Sequence, residues 1–254
     1  MRRIETGQVV RVGIPLVHGT NLYPMVKSQS TEIKQLKTIQ TDGVEVWSIT
    51  FTDLDFTYVE TVRHISSHGP LPSEVFARRP AHDIYRAVIA HVDVGRGEEI
   101  SLSDLKESLG EVRRGDALIV HANSYTDKWL AKSHGIIDVN DFNLESPYFS
   151  GQAMKAIIDA GTVMLGGDFP SFSNPRTEKG FGIEMISEFY GREGNMILAP
   201  MITLREIRQT VVALQVNPLE IAGVCALPCN PTVYQGQLGQ AFLEYLTRAS
   251  SKVR

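Results

Sequence analysis

Ser150-Gly151-Gln152-Ala153-Met154-Lys155-Ala156-Ile157-Ile158-Asp159-Ala160-Gly161-Thr162-Val163-Met164-Leu165 carries a helix, its stop and the strand that follows. Ser150 offers a hydroxyl to the free amides of a first turn. Ala153, Ala156, Ile157 and Ala160 recur at three- and four-residue spacing, which makes one apolar helical face. Gly161 ends that helix, and Thr162–Leu165 returns as a strand. Upstream, Arg114-Gly115-Asp116 turns into Ala117-Leu118-Ile119-Val120, a short buried-strand signature, and Ala87–Val94 is another apolar, β-branched strand. Between these two, Ser101-Leu102-Ser103-Asp104 opens a short capped helix with Leu105 and Leu109 on its inner side. Strands alternating with short helices define an α/β chain.

Outward from this centre, residues 8–17 read as an early strand and Gly43–Phe51 as an alternating one. The latter runs into Asp55-Phe56-Thr57-Tyr58-Val59-Glu60-Thr61-Val62-Arg63-His64, the pattern of neighbouring strands in one sheet. Met196–Leu198 and Ile221–Leu227 are two more strands, with a one-turn element at Thr203–Arg208 between them. Gly236 to Arg248 reads as an amphipathic terminal helix whose apolar side is Leu238, Phe242, Leu243 and Leu246.

In the 55–64 stretch, Tyr58, Glu60 and His64 all stand at even positions. In an extended strand they would project to one face. A phenol, a carboxylate and an imidazole on one side can donate, accept and shuttle protons, which is what acid–base catalysis needs. The plainer reading is three polar groups facing water.

Composition narrows the classes. At 254 residues the chain is long enough to bury a substantial core. With 43% hydrophobic and 21% charged residues, disorder, collagen-like and coiled-coil classes are excluded. A net charge of −4 without a basic block argues against a nucleic-acid surface. No apolar run approaches a membrane span or follows Arg2 and Arg3 as a signal peptide would require. Cys225 and Cys229 are three residues apart, neither a redox pair nor a zinc set, so free thiols in a reducing cytoplasm are expected. No glycine-rich nucleotide loop and no nucleophile elbow is present, so a covalent mechanism is disfavoured.

The 55–64 stretch resembles the signature of the cyclase superfamily that includes bacterial kynurenine formamidase and isatin hydrolase, which reads HxGTHxDxPxH. Thr57 and His64 match it. Glu60 replaces the Asp and Tyr58 the second His; Leu54, Phe56 and Val62 stand at the first His, the Gly and the Pro. The similarity runs from about residue 10 to 235. Ile14-Pro15-Leu16 with Pro24 falls at the family's opening strand and turn, without the usual Asp-Leu-Ser-His. Gly115–Val120 looks like its GDAVLL strand, and Ala226-Leu227-Pro228 like its ALP strand. Ser146–Ser150 and Met164–Ser171 are similar to HPYLS…GVxLVGIDxPS.

This resemblance implies a swivelling β/α/β fold with a central barrel-like mixed sheet and peripheral helices. It implies one domain over residues 1–254, with 236–250 as the terminal helix, and a homodimer or homotetramer. Family enzymes that hold two metals use a further His and a Glu in an IIExL strand; those positions align with Ser187 and Ala199. Only Glu60 and His64 remain from the ligand set, whereas a catalytic zinc needs about three protein ligands. We therefore expect no cofactor, with the family's Zn or Mn absent.

The function expected from the resemblance is a metal-independent enzyme acting on a small aromatic or polyketide-like carbonyl compound. It would cyclise, dehydrate or hydrolyse a cyclic amide or ester, with His64 and Glu60 moving the proton and Tyr58 stabilising an oxyanion. Asp168 and Ser171 at a strand end, Arg63 and Arg176 for a substrate anion, and Trp129 for a pocket wall are the substrate-binding candidates. Trp47, Phe181, Phe189 and Tyr190 are further candidates for that wall, with core packing as the default for each. Two alternatives stand beside this reading. One is a metal-dependent amidohydrolase of the formamidase type, with Asp53, Asp55 or His68 supplying a third ligand. The other is an inactive relative that binds a small molecule or serves as an assembly partner.

Overall fold

The computed structural model describes residues 8–24, 29–79, 81–177, 183–192 and 194–251. The chain opens with β1 (Val9–Arg11), β2 (Glu32–Lys37), a single turn α1 (Ile39–Asp42) and β3 (Val46–Thr50). It continues through β4 (Tyr58–Thr61), a 3-10 turn at Val62–His64, α2 (Pro72–Ala77), β5 (Ile84–Val92) and β6 (Glu99–Ile100). Next come α3 (Leu102–Glu111), β7 (Ala117–Ala122), α4 (Tyr125–Lys132), α5 (Asp141–Leu144), β8 (Tyr148–Phe149) and α6 (Gly151–Asp159). The last part is β9 (Met164–Gly167), α7 (Ile183–Tyr190), β10 (Met196–Ala199), β11 (Val211–Gln215), β12 (Ala226–Pro228), β13 (Thr232–Tyr234) and α8 (Gly236–Ser251).

A nine-stranded curled sheet in the order β1-β13-β11-β5-β7-β9-β10-β4-β12 organises the molecule. Its centre, β5-β7-β9-β10, is parallel; β11, β13 and β1 on one side, and β4 and β12 on the other, each pair antiparallel with the neighbour nearer the centre. This is the mixed α/β architecture expected from the alternating strands and helices. The parallel strands are apolar through their middles because both faces are covered there, with Arg86, His91 and His121 the exceptions toward the ends of β5 and β7. Val88, Ala90, Val92, Leu118, Val120, Leu165 and Ile197 join Leu105, Ile157 and Phe189 in one core. Ala87, Ile89, Ala117, Ile119, Met164, Met196 and Leu198 join a second core on the opposite face. Gly166 is needed where β9 passes between its neighbours: a Cβ there would sit 2.7 Å from both Ile119 Cδ1 and the Leu198 carbonyl.

The predicted helix after Ser150 is α6, and Ser150 Oγ accepts from the amide of Ala153 as its cap. Three expectations need correction. The 43–51 strand does not neighbour β4; β3 pairs with β2 in a separate hairpin. Alternation correctly marked a strand, but β3 is mostly exposed, with Trp47 at 49% and Ile49 at 51%, so Trp47 does not pack in the core. The 221–227 strand is confined to Ala226–Pro228, the residues that reach β4. His64 is not on the strand at all. Thr61 accepts from the Arg63 amide through Oγ1, which caps the 3-10 turn and takes the chain out of extended conformation.

Candidate active site

β4 lies between β10 and β12, with Tyr58 opposite Ala199 and Pro228, and Glu60 opposite Ile197 and Ala226. Val59 packs into the second core, so period-two alternation sends Tyr58 and Glu60 to the face of the first. Two threonines fix the strand ends. Thr57 Oγ1 accepts from the Ile14 amide and donates to the Pro200 carbonyl. Thr61 Oγ1 donates to the carbonyl of Pro70.

On that face the side chains form two joined groups. Tyr58 and Tyr23 share a hydrogen bond between their hydroxyls at 2.7 Å, and Tyr23 also donates to the Pro170 carbonyl at 3.2 Å. Tyr190 of α7 donates to Glu60 Oε1 at 2.5 Å. Glu60 Oε2 is buried without a hydrogen bond and stands 3.6 Å from His64 Nδ1. His64 has 36% of its side chain exposed, so it is the solvent-facing end of the group. The same Nδ1 lies 3.5 Å from Cys225 Sγ, which in turn lies 3.9 Å from Asp53 Oδ2.

Burial dominates the electrostatics. Loss of water raises the Glu60 pKa; the facing His64 and the Tyr190 hydrogen bond oppose this, and Asp53 adds to it. Burial also holds Tyr58 and Tyr190 far above the ordinary phenol range, with neighbouring phenols and Glu60 reinforcing it, so both remain proton donors. The Cys225 thiol is pushed up by burial, then by Asp53 and Glu60, so it rests protonated. The arrangement therefore provides a carboxyl that retains its proton to higher pH than usual, an accessible imidazole beside it, and paired phenols.

The other predicted residues are placed elsewhere or braced. Ser171 is half-buried next to Pro170; its amide donates to Ser146 Oγ, which keeps it beside the Tyr23–Tyr58 pair. Asp168 is fully buried, and its carboxylate accepts from the amides of Ala122 and Tyr125 at the β7–α4 turn. Arg63 donates to the carbonyls of Ser67 and Gly69, and Arg176 to that of Leu144; both tie loops together. Trp129 is 4% exposed and packs on Tyr125 and Phe142, within the core. Phe189 is core, whereas Tyr190 belongs to the site; Phe181 lies outside the described residues.

Sequence reasoning did not reach Tyr23 and Cys225 as partners of this site; it named Asp53 only as a possible metal ligand and Tyr190 only as a pocket-wall candidate. Cys225 and Cys229 are free, as expected.

The metal that the resemblance implies does not fit these residues. Among the described residues, no group of three or more His, Cys, Asp and Glu is placed to hold a metal ion; Glu60, His64, Cys225 and Asp53 follow one another as a chain of neighbours, not around one centre. The positions that would complete the set hold a phenol hydrogen-bonded to another phenol and, opposite it on β10, a fully buried alanine. Asp55 is committed to the Thr52 amide and Thr31 hydroxyl. Among the described residues, no helix is long and apolar enough to cross a membrane.

No family model matches the sequence, and no curated protein matches it. Solved structures do. Isatin hydrolase A from Labrenzia aggregata, bound to benzyl benzoate, superposes with a TM-score of 0.68 at 11% identity, covering 89% of this chain and 92% of that one. An isatin hydrolase bound to the product analogue thioisatinate gives 0.68 at 13% identity, covering 91% and 94%. A structure described as a novel cyclase gives 0.67 at 13% identity, covering 91% and 90%. At such identities the likeness speaks for architecture alone: the chain has the cyclase-like fold that these hydrolases and cyclases share.

Proposed function

We propose that the protein is a hydrolase of the cyclase-like fold that opens a small cyclic amide or ester without a metal. The observation that carries this reading is Glu60, a buried carboxyl with one oxygen held by Tyr190 and the other unsatisfied and facing His64. A buried carboxylate oxygen without a partner costs on the order of 1–3 kcal/mol, so it is retained where its proton is used. The structural neighbours described as isatin hydrolases support an aromatic cyclic amide as the substrate class.

His64, the accessible base, takes a proton from water as the water oxygen attacks the carbonyl carbon. Charge developing on the carbonyl oxygen is met by the Tyr58 hydroxyl. Tyr58 transfers its hydrogen bond from Tyr23 to the oxyanion, and Tyr23 turns its own hydrogen to Tyr58. The carbon–nitrogen or carbon–oxygen bond then breaks, and the leaving atom receives the proton held by Glu60. Glu60 recovers a proton from His64, which restores the starting state. The same proton-moving groups would serve a cyclisation or dehydration.

The test is hydrolysis of isatin and related aromatic lactams and lactones by protein dialysed against a strong chelator. Activity that survives chelation and is lost in His64→Ala, with the circular dichroism spectrum unchanged, supports the reading. Activity abolished by the chelator and restored by zinc or manganese would establish the metal-dependent alternative. Turnover of no compound, together with retained ligand binding in His64→Ala, would leave the inactive relative. A homodimer or homotetramer belongs to the same reading, and sedimentation velocity checks it.

A further inference from the structure

Away from Tyr58 and Glu60, at the start of β5, the molecule holds a second concentration of polar chemistry that the proposed reaction does not use. Between the end of α2, the start of β5, the turn before β7 and α8 lies a hollow of about 350 Å³. Arg78, Arg79, Arg86 and Arg114 line it, and Leu243 and Leu246 of α8 form its apolar wall. Asp116 is the one carboxylate on this lining, and Arg86 engages it while also donating to the Glu111 carbonyl. The hollow thus carries a large surplus of positive charge on a chain whose net charge is −4.

Two buried polar atoms here lack partners. Tyr85 is 1% exposed and its hydroxyl makes no hydrogen bond; the buried Nε of Arg79 makes none either. They belong to one unit, since the Arg79 guanidinium lies 3.8 Å over the Tyr85 ring. Native proteins rarely leave such groups unmet, because each unmade bond costs its desolvation in full. Both can supply a hydrogen and need an acceptor. Guanidinium groups have donors only, and the phenol, raised by burial, keeps its proton. The complement is a group made of acceptor oxygens with more than one negative charge, which describes a phosphate. The volume exceeds that of a bare ion and is within the range of small-molecule sites, and the leucines of α8 offer contact to an organic moiety.

We propose that this hollow binds the phosphate group of a small phosphorylated molecule, with Arg79 and Tyr85 as its buried donors and Arg114 at its rim. Isothermal titration calorimetry of the full chain with inorganic phosphate and with pyrophosphate, at ionic strength held constant with chloride, tests it. The expected result is saturable binding, weakened roughly tenfold or more in Arg79→Gln, as loss of charge-assisted hydrogen bonds requires. Arg114→Gln, at an exposed position, should weaken it severalfold with an unchanged melting curve, which decides the matter if Arg79→Gln does not fold. Arg192→Gln, an exposed charge elsewhere, should leave it intact. Heats equal to those of chloride, or binding undiminished in the hollow variants, would overturn the proposal. Capture by phosphatidylglycerol vesicles with no binding of free phosphate would overturn it too, in favour of a lipid surface.

Discussion

Glu60 and Asp168 are both buried acids on neighbouring parts of one sheet, yet their surroundings differ in kind. Each of the two Asp168 oxygens accepts a backbone amide, from Ala122 and Tyr125, and the residue holds the turn between β7 and α4. Glu60 receives one phenolic hydrogen on Oε1, while Oε2 faces an imidazole across 3.6 Å and bonds to nothing. Burial raises the pKa of both, so a shifted pKa alone does not separate a reactive acid from a brace. The difference lies in what meets the oxygens. His121 Nε2 also stands 3.8 Å from Asp168 Oδ2, but that imidazole is 13% exposed and both Asp168 oxygens are already held by amides. Glu60 Oε2 is unbonded and faces His64, which is 36% exposed and can exchange a proton.

The comparison breaks most sharply if Glu60 is neutralised. Glu60→Gln should lower kcat/KM by about a hundredfold or more with the fold intact, the scale of a lost acid–base group. Unchanged turnover in that variant would remove Glu60 from the mechanism. Asp168→Ala should act on stability instead. Two buried amides lose their acceptor, and urea unfolding should show a loss of about 2–4 kcal/mol, offset in part because a desolvated carboxyl is gone. A smaller effect comes from Tyr190→Phe, which removes the hydrogen bond holding the Glu60 pKa down. The limb of the pH–rate profile that reports Glu60 should move to higher pH, with a rate loss of about tenfold.

The smallest effect is a slope. Asp168 is pushed up to about 7, above its ordinary value, chiefly by burial. An acid whose native pKa is raised keeps its proton in the folded chain after the unfolded chain has lost it. Its stabilising contribution is therefore complete below about 4 and declines as pH rises toward about 7. Buried Glu60 acts in the same direction. Melting temperatures across that window should fall with pH, and Asp168→Asn should flatten the decline.

Much of the scaffold was legible because its signals are local. The cap at Ser150, the spacing of Ala153 and Ile157, and the apolar run at Ala117–Val120 each report a backbone state over a few residues. The partner of a strand is not local. Alternation identified β3 but not its pairing with β2, whose Lys and Glu residues disguise it. The short run Val211–Leu214 was not recognised as β11, although it pairs with β5 in the middle of the sheet. Parity placed Tyr58 and Glu60 on one face correctly, and failed at His64 because Thr61 caps a turn. The remaining members of the site could not be found by spacing. Tyr23, Tyr190 and Cys225 lie 35, 130 and 161 residues from the groups they touch. Only packing brings them together.

The strand that presents Tyr58 and Glu60 is held by main-chain ladders on both edges, to β10 and to β12, and by threonines at its two ends. None of those bonds depends on which side chains point into the site. The backbone thus works as a mounting rail, and what is mounted on it can be exchanged without moving the rail. For protein engineering this makes positions 58, 60 and 199 an interchangeable cassette. A small library there would sample different chemistries in one frame, and most of its members should fold.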